Sequence, residues 1–196
     1  MTKVDIVLGG GRQLPNILGA YRDDCDLVDV VASGDQPKAV EGLRVGLKVL
    51  GSSGAANIRM AEVAPTQYVD AFDPSAILKA CRELVARHAD QGEEIIFNVT
   101  CGTTVMSVMA CQAARERDIP AIYIDTQNGR IVDLTALRVR DEPSSVKSWW
   151  YLAINSINLP RCLSVRRCNR PTGDVQQTCQ VRAVKLQTAN KMRART

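Results

Sequence analysis

The sequence predicts an α/β fold: a mostly parallel sheet with helices on its faces, ending in a β-hairpin. Three observations predict it. Short apolar runs alternate with stretches of 12 to 16 residues that carry helical apolar spacing, the pattern of βαβ units. Glycine clusters and an Asp-Pro pair stand between these runs, where turns and helix starts belong. Apolar residues make up 45% of the 196-residue chain and aromatic residues only 4%, so a core is available and must be aliphatic.

The elements follow in order. Val4, Ile6, Val7 and Leu8 form a buried strand that runs into Gly9-Gly10-Gly11. A short helix over 14–21 tolerates Pro15 in its first turn. Residues 27–32 are a valine-rich strand. Residues 37–50 are a helix with Val40, Leu43, Leu47 and Leu50 at spacings of three and four, broken by Gly51-Ser52-Ser53-Gly54. Residues 58–63 alternate like a half-exposed strand. Asp73-Pro74 reads as an N-cap followed by an N1 proline, opening a helix with Ile77, Leu78, Cys81, Leu84 and Val85 on one face. Residues 94–99 are a strand and 102–117 a helix, with Val105, Met106, Val108, Met109 and Ala113 inward. Residues 120–125 and 130–134 are strands joined by the hairpin signal Asn128-Gly129. This is a Rossmann-like arrangement spanning residues 1–140. Residues 141–160 read as a linker and an amphipathic helix containing Trp149, Trp150, Tyr151, Leu152, Ile154 and Ile157. Residues 161–196 are a basic, poorly patterned tail.

Charge divides the chain in the same way. Residues 141–196 hold ten Lys/Arg against three Asp/Glu, which leaves fifteen against eighteen in 1–140. A basic arm can bind nucleic acid, and it can equally be a solvated tail without a partner. No apolar run approaches the roughly 18 residues of a membrane span, and the N-terminus has no signal-peptide pattern, so a cytoplasmic protein is expected. Seven cysteines without a CxxC pair, and one histidine far from the cysteines of the tail, lead us to expect no metal site and no cofactor.

In a doubly wound sheet, ligands bind beyond the carboxyl ends of the strands. Two loops there stand out: Gly9-Gly10-Gly11-Arg12-Gln13 and Asn98-Val99-Thr100-Cys101-Gly102-Thr103-Thr104. Small residues at a helix start leave backbone N–H groups accessible, and the helix dipole adds positive character. The hydroxyls of Thr100, Thr103 and Thr104 can donate, and Arg12 can make a bidentate phosphate contact. Two roles are open for Thr103, ligand contact or helix cap. Neither loop matches GxGxxG or the P-loop pattern in full.

The segment Asn98-Val99-Thr100-Cys101-Gly102-Thr103-Thr104-Val105-Met106 resembles the Asn-Leu-Thr-Gly-Gly-Thr-Lys-Leu-Met segment of CRISPR-associated Rossmann-fold (CARF) domains. Gly11-Arg12-Gln13-Leu14-Pro15-Asn16 is similar to their Gln-Pro-Leu-Pro-Asn-Leu loop. Ala121-Ile122-Tyr123-Ile124-Asp125-Thr126, a turn, and Ile131-Val132-Asp133-Leu134 resemble their closing hairpin. The resemblance is to the sensor domains of cyclic-oligoadenylate-activated type III CRISPR nucleases and covers residues 3–140. It implies a homodimer that binds cyclic oligoadenylate, tetra-adenylate favoured, across a two-fold axis, in antiviral defence. It implies ligand contacts at Gly10, Gly11, Arg12, Gln13, Thr100, Cys101, Gly102, Thr103 and Thr104. Thr104 stands where the family has lysine and Cys101 where it has glycine.

Two other functions fit the same residues. A ring nuclease would degrade the same signal by orienting a ribose hydroxyl for in-line attack. A DNA-binding regulator would use the basic tail. The tail carries no Asp…Glu-x-Lys constellation of a metal-dependent nuclease; its acids are Asp141, Glu142 and Asp174.

Overall fold

A computed structural model describes residues 1–141 except 53, 55, 127 and 129. The amphipathic segment, the basic tail and the Gly129 half of the hairpin turn lie outside the described residues. In chain order the elements are β1 (Lys3–Gly9), α1 (Leu14–Arg22), β2 (Leu27–Ser33), α2 (Pro37–Ser52), β3 (Arg59–Met60), β4 (Tyr68–Val69), α3 (Pro74–Asp90), β5 (Glu94–Asn98), α4 (Thr104–Arg115), β6 (Ala121–Asp125), β7 (Arg130–Asp133) and β8 (Arg138–Asp141). The sheet has eight strands in the order β3-β2-β1-β5-β6-β7-β8, with β4 pairing to β2. Strands β1 to β6 are parallel, and β6-β7-β8 are antiparallel.

Alternation along β1 builds two cores. Val4, Ile6 and Leu8 pack with Phe97, Ile77, Leu84 and Met106 beneath α3 and α4. Val7 faces the other side with Ile17, Leu43 and Leu47 of α1 and α2. Successive strand residues point to opposite faces, so one apolar strand serves both layers.

The fold class agrees with the sequence, and four details differ. The strand expected over 58–63 is only Arg59–Met60, because β2 offers this neighbour just Leu27 and Val28. The far end of β2 pairs instead with β4, through Ala32 and Ser33. Helix α4 starts at Thr104 rather than 102, because Gly102 adopts a φ of +96° and Thr103 is the N-cap. Val108 points outward rather than inward: the buried stripe of α4 is Met106, Ala110, Ala113 and Ala114, and a residue two positions from Met106 falls on the opposite side of a 3.6-residue turn.

At the amino end of the sheet lies a buried polar cluster. Asp29 of β2 accepts hydrogen bonds from its neighbour's backbone, Val30 N (2.8 Å), and from Gln67 Nε2 (2.6 Å). His88, in the last turn of α3, places Nε2 3.0 Å from Asp29 Oδ2 and Nδ1 2.6 Å from Glu93 Oε2. Arg87 adds a contact to Asp29 at 3.3 Å. Burial lowers the His88 pKa, but hydrogen bonds to the two carboxylates outweigh it and leave it raised.

Candidate functional site

Chain order along the sheet reverses at β1. The chain moves from β1 outward to β2, and β5 then returns to the other side of β1. The switch point lies between β1 and β5, where open α/β sheets form their ligand crevice. The loops that leave these strands are the two singled out from the sequence, and the structure brings them into contact. A Cβ placed on Gly10 would collide with the backbone nitrogen of Gly102. Only a residue without a side chain lets the loops approach so closely. At Gly102 a Cβ would meet Leu8 Cβ at 3.1 Å and Met106 Sδ at 3.2 Å, on a backbone already in the left-handed region.

The first loop is tied internally. Gln13 Nε2 donates to the Gly10 carbonyl. Asn16 Nδ2 donates to Leu8 O at 2.9 Å and to Gln13 Oε1 at 3.2 Å. Gly11 and Arg12 are left exposed.

The second loop is a chain of staples. Asn98 Nδ2 donates to the Pro15 carbonyl (3.2 Å). Thr100 donates its hydroxyl to Asn98 Oδ1 (2.6 Å) and accepts from Ile124 N (2.8 Å). The Cys101 thiol donates to Arg12 O (2.8 Å). Burial pushes that thiol up to about 12, so it is not a thiolate nucleophile. Thr103 Oγ1 accepts from Met106 N (3.2 Å) and donates to the Ala71 carbonyl (2.7 Å). Its hydroxyl proton is committed to the fold, and the cap role is the one it fills. Thr104, the first residue of α4, is exposed. The N–H groups of a helix's first turn lack intrahelical partners; here the Thr103 hydroxyl takes that of Met106, and Thr104 lies beside the groove along α4.

Above the loops lies a cleft of about 550 Å³. Gly11, Arg12 and Gly102 form one wall; Tyr123, Asp125 and Asn128 form the other. Asp125 accepts from Asn128 N (3.2 Å) and Nδ2 (2.7 Å), which shapes that wall. A wider groove of about 940 Å³ runs along α4 past Thr104, Val108 and Cys111. Gly102 and Tyr123 line both. Val108 is 54% exposed and Tyr123 44%. The hairpin wall was not foreseen as part of the site; β6 lies beside β5, so its carboxyl end shares the same edge, a consequence of strand order that no local motif states.

Below the cleft, Asp5 is fully buried, and neither carboxyl oxygen has a hydrogen-bond partner among the described residues. Burial, helped by Asp23, holds its pKa well above the ordinary carboxylate value, while the Asn98 amide and Arg22 offset only part of this. Among the described residues, no group of three His, Cys, Asp or Glu is placed to hold a metal ion. No helix among them is long and apolar enough to cross a membrane.

These features define a Rossmann-like domain with an open crevice at its switch point. Within that class the fold is consistent with a CARF domain, the family whose motifs the two loops resemble. No family model and no curated protein matches the sequence. Among solved structures, Can2 from Sulfobacillus thermosulfidooxidans, in complex with cyclic tetra-adenylate, is 19% identical with a TM-score of 0.59, over 76% of this chain and 40% of that one. Enterococcus italicus Csm6, bound to cyclic hexa-2'-fluoro-hexa-dAMP, is 13% identical with a TM-score of 0.54, over 81% and 39%. A type III CRISPR defence DNA nuclease activated by cyclic oligoadenylate is 12% identical with a TM-score of 0.52, over 72% and 21%. The matched region is less than half of each of these longer chains.

Proposed function

We propose that this chain is a cytoplasmic, dimeric receptor for cyclic oligoadenylate, tetra-adenylate favoured, in type III CRISPR antiviral defence. In this reading residues 1–140 are the ring-binding unit, residues 141–160 a linker and amphipathic helix, and residues 161–196 a basic tail. The observation that carries it is the switch-point crevice, lined by Arg12 and by Gly102, which shortly precedes α4. Its support from outside is the fold shared with proteins solved with such rings.

Arg12, Gly11 and the N–H groups of Gly102, Thr103 and Thr104 contact the ring phosphates. Gly10, Gln13, Thr100 and Cys101 hold the two loops at the required spacing. Among the described residues lining the cleft, one copy brings a single cation, Arg12, and half of a two-fold site. A second copy seated on the groove beside α4 would join two clefts at Gly102 and Tyr123, which line both. A closed two-fold ring of phosphates is matched by such duplicated donors. Binding rather than cleavage is favoured because Thr104 stands where the family has lysine.

The test is incubation with cyclic tetra-adenylate followed by chromatography and light scattering. The proposal expects a dimer that retains an intact ring. Linear products would favour the ring nuclease, and a monomer with or without ligand would contradict the dimer.

A further inference from the structure

Of the chain's two phenylalanines, Phe97 lies at the centre of the core, whereas Phe72 is 73% exposed. Its place is set by pairing. Strand β4 runs parallel to β2 in the register Ser33↔Val69, and Gly34 N donates to Val69 O at 2.9 Å. Residues after Val69 therefore emerge at the carboxyl edge, on the same side of the sheet as the Gly102 loop.

The turn that carries Phe72 is held by four hydrogen bonds. Asp70 Oδ1 accepts from Phe72 N (2.9 Å), and Asp73 N donates to Asp70 O (3.1 Å). Asp73 then caps α3 by accepting from Ser75 N and Ala76 N. Between the two aspartates, Ala71 is buried, and its carbonyl accepts the Thr103 hydroxyl at 2.7 Å. Phe72 is thus the next residue to one bonded directly to the N-cap of α4. A large apolar ring, carried on a hydrogen-bonded turn and left in water, follows directly on the residue that holds the N-cap of α4.

We infer that Phe72 is a stacking platform for one adenine of the bound ring. The inference rests on the receptor reading above. Phosphates held at a helix N-terminus leave their bases free to reach outward, and a purine's flat face stacks on an aromatic side chain. Because the turn is already ordered, stacking there immobilises little that is not fixed beforehand. Stacking accepts any purine, so Phe72 contributes affinity rather than the choice of base.

The probe is cyclic tetra-adenylate carrying one 2-aminopurine, whose emission falls when it stacks, titrated into the full chain. Wild type should bind and quench the emission. Phe72→Ala should bind roughly 5- to 150-fold more weakly and quench less, with its melting temperature unchanged because the side chain is exposed. Phe72→Tyr should restore both readings. If wild type does not bind, the receptor reading fails and this inference falls with it. If wild type binds and Phe72→Ala binds and quenches equally well, the inference alone is overturned. If Phe72→Ala turns a dimer into a monomer, Phe72 belongs to a protein interface, which also overturns the inference.

Discussion

At the amino end of the sheet, His88 sits between Asp29 and Glu93, and Asp29 gathers Gln67, Arg87 and a backbone amide around it. At the carboxyl end, Arg12 and the Gly102 loop face an open cleft. The amino-end cluster turns its polar groups on one another and is closed to solvent apart from Arg87 and part of Glu93. The carboxyl-end loops use their side chains to hold the backbone and leave backbone donors and one guanidinium to meet something else. Buried charges persist only when paired, whereas binding groups must remain available. The difference separates a polar cluster closed on itself from one left open, as the proposed receptor requires.

The largest expected effect comes from Gly102→Val. The residue would be forced into a left-handed backbone, and its Cβ would press on Leu8 and Met106. That strain costs about 1–3 kcal/mol, and the branched side chain would stand over the α4 N-terminus. Loss of ring binding together with a lowered melting temperature is expected. A variant that binds normally would remove the carboxyl end from the functional side of the comparison.

His88→Gln sharpens the other side. The folded pKa of His88 is raised above its ordinary 6.5. Its charge therefore contributes stability that is fully present below about 6.5 and is lost as pH rises through the folded value. The variant should lose about 1–3 kcal/mol at low pH and should lack this decline above neutrality. Denaturant melts across pH check it, and ring affinity should not change.

Thr103→Ala tests the boundary between the two clusters. Its hydroxyl caps α4 and bonds Ala71, so the expected cost is stability, about 0.5–2 kcal/mol. Affinity measured on the folded variant should change little. A large loss of affinity with an unchanged melting temperature would mean that the hydroxyl serves the ligand after all.

Much of the fold was legible because it is local. The Asp73-Pro74 helix start and the alternation of β1 are signals within a few residues, and both loops of the crevice were visible as glycine-rich strand ends. The division of β3 and β4 was hidden, because it depends on which part of β2 each strand meets. Strand β8 was hidden because it exists only through its pairing with β7. Within the site, the two loops were legible and the work of their hydroxyls was not. The partner of Thr103 lies 32 residues away at Ala71, and Asp29 meets His88 across 59 residues. Partnerships over such distances arise from topology and leave no mark in a motif.

The most direct test of the account is calorimetric titration of cyclic tetra-adenylate into the wild-type chain and into Arg12→Ala. Arg12 is the only cation lining the described cleft, and a charge-assisted hydrogen bond contributes about 1.5–3 kcal/mol. The account predicts saturable wild-type binding at one ring per two chains, and a loss of about 10- to 150-fold on removing the guanidinium. No wild-type binding, or equal affinity in the two proteins, would contradict it.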